Sequence, residues 1–351
     1  MQIPLADDLH CHLRQGELMS LVTPLIRHGG CNRVLVMPNT NPPITNCAQA
    51  GEYRRQLMQI EPRVTYLMTL YLSPEVSTDD IRLNAKANHV QGIKCYPVGM
   101  TTNSEHGFNS LEEYYPLFAE MERLGLSLHI HGEQPGSNPL RSEAKFVQNI
   151  ISVAMAFPKL KVVAEHVSTK ESLEAVLRVP NLAASITPHH LQIVTEDVLN
   201  ITSGVTQANI LDHVKNPYLY CKPIAQSAEN RDALLQAIRT RSPKIFLGSD
   251  SAPHTIAAKN SDKPPAGIFT QPYIMGYLAT IFKRLDCEDY LEAFVCRNGA
   301  EFLDLPAKNI EYMEITDETI IVPDTVGGVL KPFLAGEEIT KICIVTTGDA
   351  K

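Results

Sequence analysis

The residues with the clearest chemistry are His10 and His12, one residue apart at the end of the first apolar run, within Asp-Asp-Leu-His-Cys-His-Leu-Arg. Alternate residues of a strand share a face, so both imidazoles can reach one ion. A lone pair of this kind occurs by chance on many surfaces, but here it opens a series. Lys94, His131, His166 and Asp250 each stand at or near the end of a later strand-like run. Ligand-type residues far apart in sequence yet equivalent in position imply a shared metal site at one end of a barrel. Zinc favours imidazole and carboxylate ligands, and catalytic sites keep a position open for water. His10, His12 and Asp250 suit one ion, whereas His131 and His166 suit a second but leave it short of ligands.

A hydrogen-bonded or surface role is the default for any lone histidine, so His28, His89, His106 and His213 carry no assignment. His129 lies two residues before His131, on the same strand face, and reads as a layer residue deeper in the barrel. His189 and His190 follow Thr187-Pro188 and are expected to have supporting or structural roles. Cys11 and Cys95 neighbour proposed ligands, but a strand neighbour points to the opposite face, which argues against ligation.

The elements that must position these groups alternate along the chain. Strand-like runs at 5–12, 34–39, 64–72, 92–96, 127–131, 161–166, 182–187 and 244–250 are separated by segments of helical spacing, among them 47–59, 111–124, 141–156, 170–179 and 228–239. This alternation predicts an α/β fold with a parallel sheet closed as a (β/α)8 TIM barrel. Residues 1–304 are assigned to the barrel and 305–351 to a small C-terminal appendage, with short strands near 319–323 and 338–345. An open doubly wound sheet is the alternative, but no Gly-x-Gly-x-x-Gly follows an early strand. Barrel active sites lie at the C-terminal ends of strands, and that is where the chain places its polar residues.

Bulk properties narrow the function classes. The 351 residues are 44% hydrophobic and 20% charged, with a formal net charge of −8 and no basic block, which disfavours nucleic acid as a partner. The N-terminus lacks the basic and apolar regions of a secretory signal. No apolar segment approaches the roughly 18–20 residues that cross a bilayer. Eight scattered cysteines without a Cys-x-x-Cys pair read as reduced thiols, and the cytoplasm is the expected location.

The ordered set resembles the amidohydrolase superfamily of binuclear metal hydrolases and, in more detail, the dihydroorotases whose barrel begins almost at the N-terminus. The motifs that carry the resemblance are His10-Cys-His-Leu-Arg14, Met37-Pro-Asn39, Lys94-Cys-Tyr-Pro97, Thr101-Thr-Asn-Ser104, His131-Gly-Glu133, Glu165-His166, Thr187-Pro-His-His190, Tyr220-Cys-Lys-Pro223, Gly248-Ser-Asp-Ser-Ala-Pro-His254 and Pro332-Phe-Leu-Ala-Gly-Glu337. They span nearly the whole chain. The resemblance implies two zinc ions per subunit. His10 and His12 with Asp250 would hold the more buried one and His131 with His166 the other, with hydroxide and a carbamylated Lys94 (N6-carboxylysine) bridging them. Charge balance agrees, because an unmodified ammonium would be repelled by two cations.

The same resemblance implies that Arg14, Asn39 and His254 hold a substrate carboxylate, helped by backbone near Ala266 and Gly267. Backbone at Lys222 would contact the ring, and Thr101 and Thr102 would sit on a closing lid. The implied reaction is the reversible cyclisation of N-carbamoyl-L-aspartate to L-dihydroorotate and water in pyrimidine biosynthesis. Asp250 would shuttle the proton, and a homodimer is expected. Two features depart from bacterial relatives: position 222 is Lys rather than an apolar residue, and the stretch 195–215 is longer.

Rival readings share parts of this pattern. A hydantoinase or allantoinase would use the same ligands, but Arg14 with Asn39 and His254 favours a substrate bearing a carboxylate. A mononuclear deaminase leaves Lys94 without a purpose. An inactive binding or scaffold homologue would be expected to lose ligands, and every ligand position is filled.

Overall fold

Eight short strands, each running into a loop that carries polar residues, line up in parallel in the computed structural model, which describes residues 1–100, 104, 107–201 and 203–345. An N-terminal strand, β1 (Gln2–Pro4), lies outside this set. The eight are β2 (Ala6–Cys11), β3 (Cys31–Val36), β4 (Thr65–Tyr71), β5 (Val90–Cys95), β6 (Ser127–Ile130), β7 (Lys161–Ala164), β8 (Leu182–Ile186) and β9 (Ile245–Leu247). Their order in the sheet is their order in the chain, the mark of a (β/α)8 barrel.

The expected strands all form, with shifted ends. The last one shortens most, because the ladder ends at Leu247 and the chain bends to carry Asp250 with a φ of 46°. The barrel closes at its mouth: Asp250 N donates to His10 O at 2.9 Å and His12 N to Ser251 O at 3.0 Å. Below that, buried Asp8 accepts from Ser249 N (2.8 Å) and Ser249 Oγ (2.6 Å). The closing seam is therefore built from the residues that carry the proposed ligands.

Strand residues are buried on both faces, as helix-covered parallel sheets require. Leu9, Leu35, Leu67, Val163, Ala183 and Phe246 form one apolar cluster with Leu303, beneath the polar layer. The other strand faces pack against the helices in the main core, which includes Val34, Val36, Ile93, Leu128, Val162 and Leu182.

Helix ends follow from local chemistry. The helix Cys47–Ile60 starts where the Asn46 side chain accepts from Gln49 N at 2.9 Å, and it buries Cys47, Ala50, Tyr53 and Leu57 along one stripe. The helices Pro139–Ala156 and Lys170–Arg178 start at the Asn138 and Thr169 caps.

After the barrel, β10 (Tyr312–Ile321) and β11 (Glu338–Val345) form an antiparallel ladder, and β1 pairs with β10 to complete a three-stranded sheet. The sheet thus draws one strand from the start of the chain as well as from 305–351. The helix Ile274–Arg284 packs on β11 through Gly276, where an added Cβ would lie 2.7 Å from Ile339 and 2.9 Å from the Thr340 carbonyl. Among the described residues no helix is long and apolar enough to cross a membrane.

Candidate metal centre and substrate cavity

At the mouth of the barrel His10, His12 and Asp250 converge, with donor atoms all within 4.8 Å of one another. Both histidines use Nδ1 for support and aim Nε2 at one point. His10 Nδ1 donates to Glu165 Oε2 at 2.7 Å and His12 Nδ1 to Asn39 Oδ1 at 2.8 Å. Their Nε2 atoms lie 3.4 and 3.0 Å from Asp250 Oδ1. Metal-binding imidazoles are commonly held this way, by an acceptor on the far nitrogen that fixes tautomer and ring orientation.

His131 and His166 form the second group. His131 Nδ1 stands 3.0 Å from His166 Nε2, and His131 Nε2 meets Glu133 Oε2 at 2.7 Å. The two groups are contiguous, since the His10 and His166 rings are 5.2 Å apart. Lys94 is fully buried; its Nζ lies 4.4 Å from the Tyr96 ring centre and has no hydrogen-bond partner among the described residues. Burial pulls its pKa down to about 8, against the opposing charges of Glu165 and Asp250. A buried amine without acceptors is costly as a cation.

The electrostatics separate groups that look alike in sequence. Burial disfavours the charged form of His10, but Glu165 and Asp250 outweigh it and raise the pKa to about 9. Burial dominates at His12, which falls to about 4, and at His131 and His166, which are also lowered. Asp250 is buried, which raises its pKa, yet hydrogen bonds from His10 and His12 carry it well below the usual carboxylate range. The set is one carboxylate, Asp250, and mostly neutral imidazoles facing a common space, a donor set that fits divalent zinc. The orphaned Lys94 amine fits conversion to an anion.

Three of these side chains hang from backbone in the left-handed region: Arg14 (φ 60°), His166 (41°) and Asp250 (46°). Such conformations are uncommon away from glycine and cluster at functional sites. The surroundings enforce them. The Tyr53 hydroxyl donates to Arg14 O. Beyond His166, Glu143 accepts from Ser168 N (3.1 Å) and Thr169 N (3.0 Å), tying the turn to the helix Pro139–Ala156. Gly248 lets β9 approach closely, since a Cβ there would meet Ser185 Cβ at 2.6 Å and His10 Cβ at 2.9 Å.

Next to the metal groups, His12, Arg14, Asn39, Lys222, Asp250, Ala252, Ala266 and Gly267 line one cavity. Arg14 Nε donates to Pro253 O at 2.9 Å and Arg14 Nη2 to His254 Nε2 at 3.1 Å, and Nη1 makes no hydrogen bond among the described residues. Burial and the Arg14 charge lower the His254 pKa to about 2, so that ring is neutral, and its Nε2 also lies 3.0 Å from Ala266 O. The backbone N–H groups of Lys222 and Ala266 make no hydrogen bond among the described residues. Thr101 and Thr102 lie outside the described residues. The long 195–215 stretch contributes Val198, Leu199, Val205 and Ile210 to an apolar cluster with Tyr220 and Cys221, beside the cavity wall.

Glu165, named from the sequence only as part of the Glu165-His166 motif, holds a role that the sequence reading did not assign. It accepts from His10 Nδ1, His129 Nδ1 (2.5 Å) and Ser185 Oγ, and so joins the deeper layer to the ligand layer. Its signal was available: it stands two residues after the inward-facing Val163, where an unpaired carboxylate would be expensive. His129 also meets Ser127 Oγ at 2.8 Å and is a layer residue. His190 is committed to Thr187 Oγ1 (2.9 Å) and Pro223 O (3.0 Å). Buried His189 has neither ring nitrogen hydrogen-bonded among the described residues, and burial lowers its pKa strongly.

Comparison with known proteins adds an independent line. The amidohydrolase family model matches residues 51–212. A probable dihydroorotase of Schizosaccharomyces pombe is 38% identical, with 98% of each chain covered. The dihydroorotase of Yersinia enterocolitica is 35% identical over 97% of this chain and 96% of its own. The crystal structure of Saccharomyces cerevisiae dihydroorotase in complex with 5-fluoroorotic acid superposes with a TM-score of 0.89 at 29% identity, covering 98% of both chains. Barrel, ligand-type cluster and full-length likeness agree, and the chain belongs to the dihydroorotase family of amidohydrolases, hydrolases that act on cyclic amides.

Proposed function

We propose that the chain is a zinc-dependent dihydroorotase that interconverts N-carbamoyl-L-aspartate and L-dihydroorotate in pyrimidine biosynthesis. The observation that carries the substrate is the Arg14 guanidinium. It shares a cavity with His12 and Asp250, and two of its donors are spent on Pro253 O and His254 while Nη1 makes no hydrogen bond among the described residues. A planar fork beside the reacting centre suits a carboxylate. The yeast relative's structure holds 5-fluoroorotic acid, a pyrimidine ring bearing a carboxylate.

His10, His12 and Asp250 would hold one zinc ion and His131 with His166 the other, with carbamylated Lys94 shared between them. Bound there, the metals would supply an activated water and a polarised amide carbonyl. Asp250 takes the proton of the attacking water and passes it to the ring nitrogen as the C–N bond breaks. Arg14, Asn39 and His254 orient the carboxylate, and the N–H groups of Lys222 and Ala266 meet the ring and carboxylate oxygens. Glu165, Glu133 and Asn39 keep the imidazoles aimed. In synthesis the same groups act in reverse.

The test follows L-dihydroorotate, hydantoin and allantoin with zinc-loaded enzyme. Turnover of dihydroorotate alone supports the assignment. Activity confined to a cyclic amide without a carboxylate overturns the substrate and leaves only the binuclear hydrolase.

A further inference from the structure

We propose that Lys259 is a positioning residue for substrate binding: its ammonium ion clamps together the two backbone segments, 217–222 and 265–267, that form one wall of the substrate cavity. The inference rests on the function proposed above and deepens it. Lys259 ends the short helix Ile256–Lys259, directly after the loop that carries Asp250 and His254, and is only 4% exposed. Its Nζ donates to Pro217 O at 2.8 Å, Pro265 O at 2.9 Å and Tyr220 O at 3.3 Å. Three donors meet three carbonyls, and no carboxylate pairs with it among the described residues. Tyr220 O also accepts from Gly267 N at 2.9 Å, which joins the two segments directly.

Burying a cation without a counter-ion is expensive, and packing alone does not require a lysine there. Burial, joined by the Arg14 charge, draws the Lys259 pKa down to about 7, and the three carbonyl oxygens are the acceptors that its buried amine finds. The return lies on the other side of the peptides. In a trans peptide the C=O and N–H point in opposite directions. With the Pro265 carbonyl turned toward Lys259, the Ala266 N–H is turned away from it, and Ala266 lines the cavity. That N–H has no partner among the described residues, so it is a donor held ready for a substrate oxygen, and the bonds to Pro217 O and Tyr220 O fix the segment that leads to Lys222. Donors fixed in advance bind without the cost of ordering the loops.

A structural lysine and a positioning lysine give different kinetics. For Lys259→Met we expect folded, zinc-loaded enzyme with kcat for L-dihydroorotate within about threefold of wild type. KM, and the Kd of the unreactive ring carboxylate orotate, should rise about tenfold or more, what one weakened charged hydrogen bond corresponds to. Lys259→Gln, which keeps a neutral donor in the same space, should show a smaller rise of the same kind and serves if the Met variant does not fold. Unchanged KM and orotate Kd in a folded variant, or a loss confined to kcat, would overturn the Lys259 assignment alone. A wild-type enzyme that binds and turns over no dihydroorotate would overturn the substrate reading, and this inference with it.

Discussion

Glu165→Gln is the sharpest test of how the metal centre is held. The carboxylate serves His10 through Oε2, shared with Ser185 Oγ, and His129 through Oε1. The amide has the same shape but only one acceptor oxygen, so its NH2 group must face one of two imidazole nitrogens that now donate into it. If that is His10, its ring loses the acceptor that holds Nε2 toward Asp250. One lost hydrogen bond to a charged group is worth about 1.5–3 kcal/mol. That range agrees with the roughly 10–100-fold loss of metal affinity or activity seen when such supporting carboxylates are changed. The variant should therefore bind zinc about 10–100-fold more weakly and lose kcat/KM by a similar factor at limiting zinc, with partial recovery as zinc is added. Titration of metal-free enzyme with zinc, read by elemental analysis and by dihydroorotate turnover, measures both. Zinc affinity and kcat/KM within about twofold of wild type would refute the claim that Glu165 aims His10.

Three further outcomes follow from the same geometry. Arg14→Met removes the carboxylate fork while leaving the ligands in place. It should lower kcat/KM for dihydroorotate by about 10²–10⁴, the equivalent of two charged hydrogen bonds, mainly through KM, with zinc content unchanged. Removal of metal by a chelator should abolish turnover and lower the melting temperature, because an ion that binds only the folded state stabilises it. Reactivation by zinc should be faster with bicarbonate present if Lys94 is carbamylated, and equal rates in carbon-dioxide-free buffer would count against the modification. Gly248→Ala places a Cβ 2.6 Å from Ser185 Cβ and 2.9 Å from His10 Cβ. It should cost about 1–3 kcal/mol of stability by calorimetry and weaken zinc binding as His10 is displaced.

The barrel was legible because its sequence signal is periodic and local. Each strand is a short run buried on both faces and each helix repeats its apolar positions every three or four residues, so element type could be read without knowing the partners. Boundaries were less legible where tertiary pairing decides them. Gln2–Pro4 is extended because Tyr312–Glu314 lies beside it, a partner some 310 residues away in sequence. β10 begins at Tyr312 rather than near residue 319 for the same reason, since β1 supplies a neighbour for its first half.

The site divides along a similar line. Ligand-type residues announce themselves, because histidine and aspartate at strand ends are chemically conspicuous and the barrel brings strand ends together. The residues that hold them do not, because their roles exist only as pairs. Glu165 follows a strand like many surface glutamates, and only the structure sets it between His10, His129 and Ser185. Lys259 reads as an ordinary lysine at a helix end until three carbonyls, two of them from a loop some 40 residues away, are found around its ammonium. In both cases the informative fact is a buried charge. Burial is costly enough that each such charge must be matched by specific partners, so an inventory of buried ions and what surrounds them finds the supporting groups that motif reading leaves out.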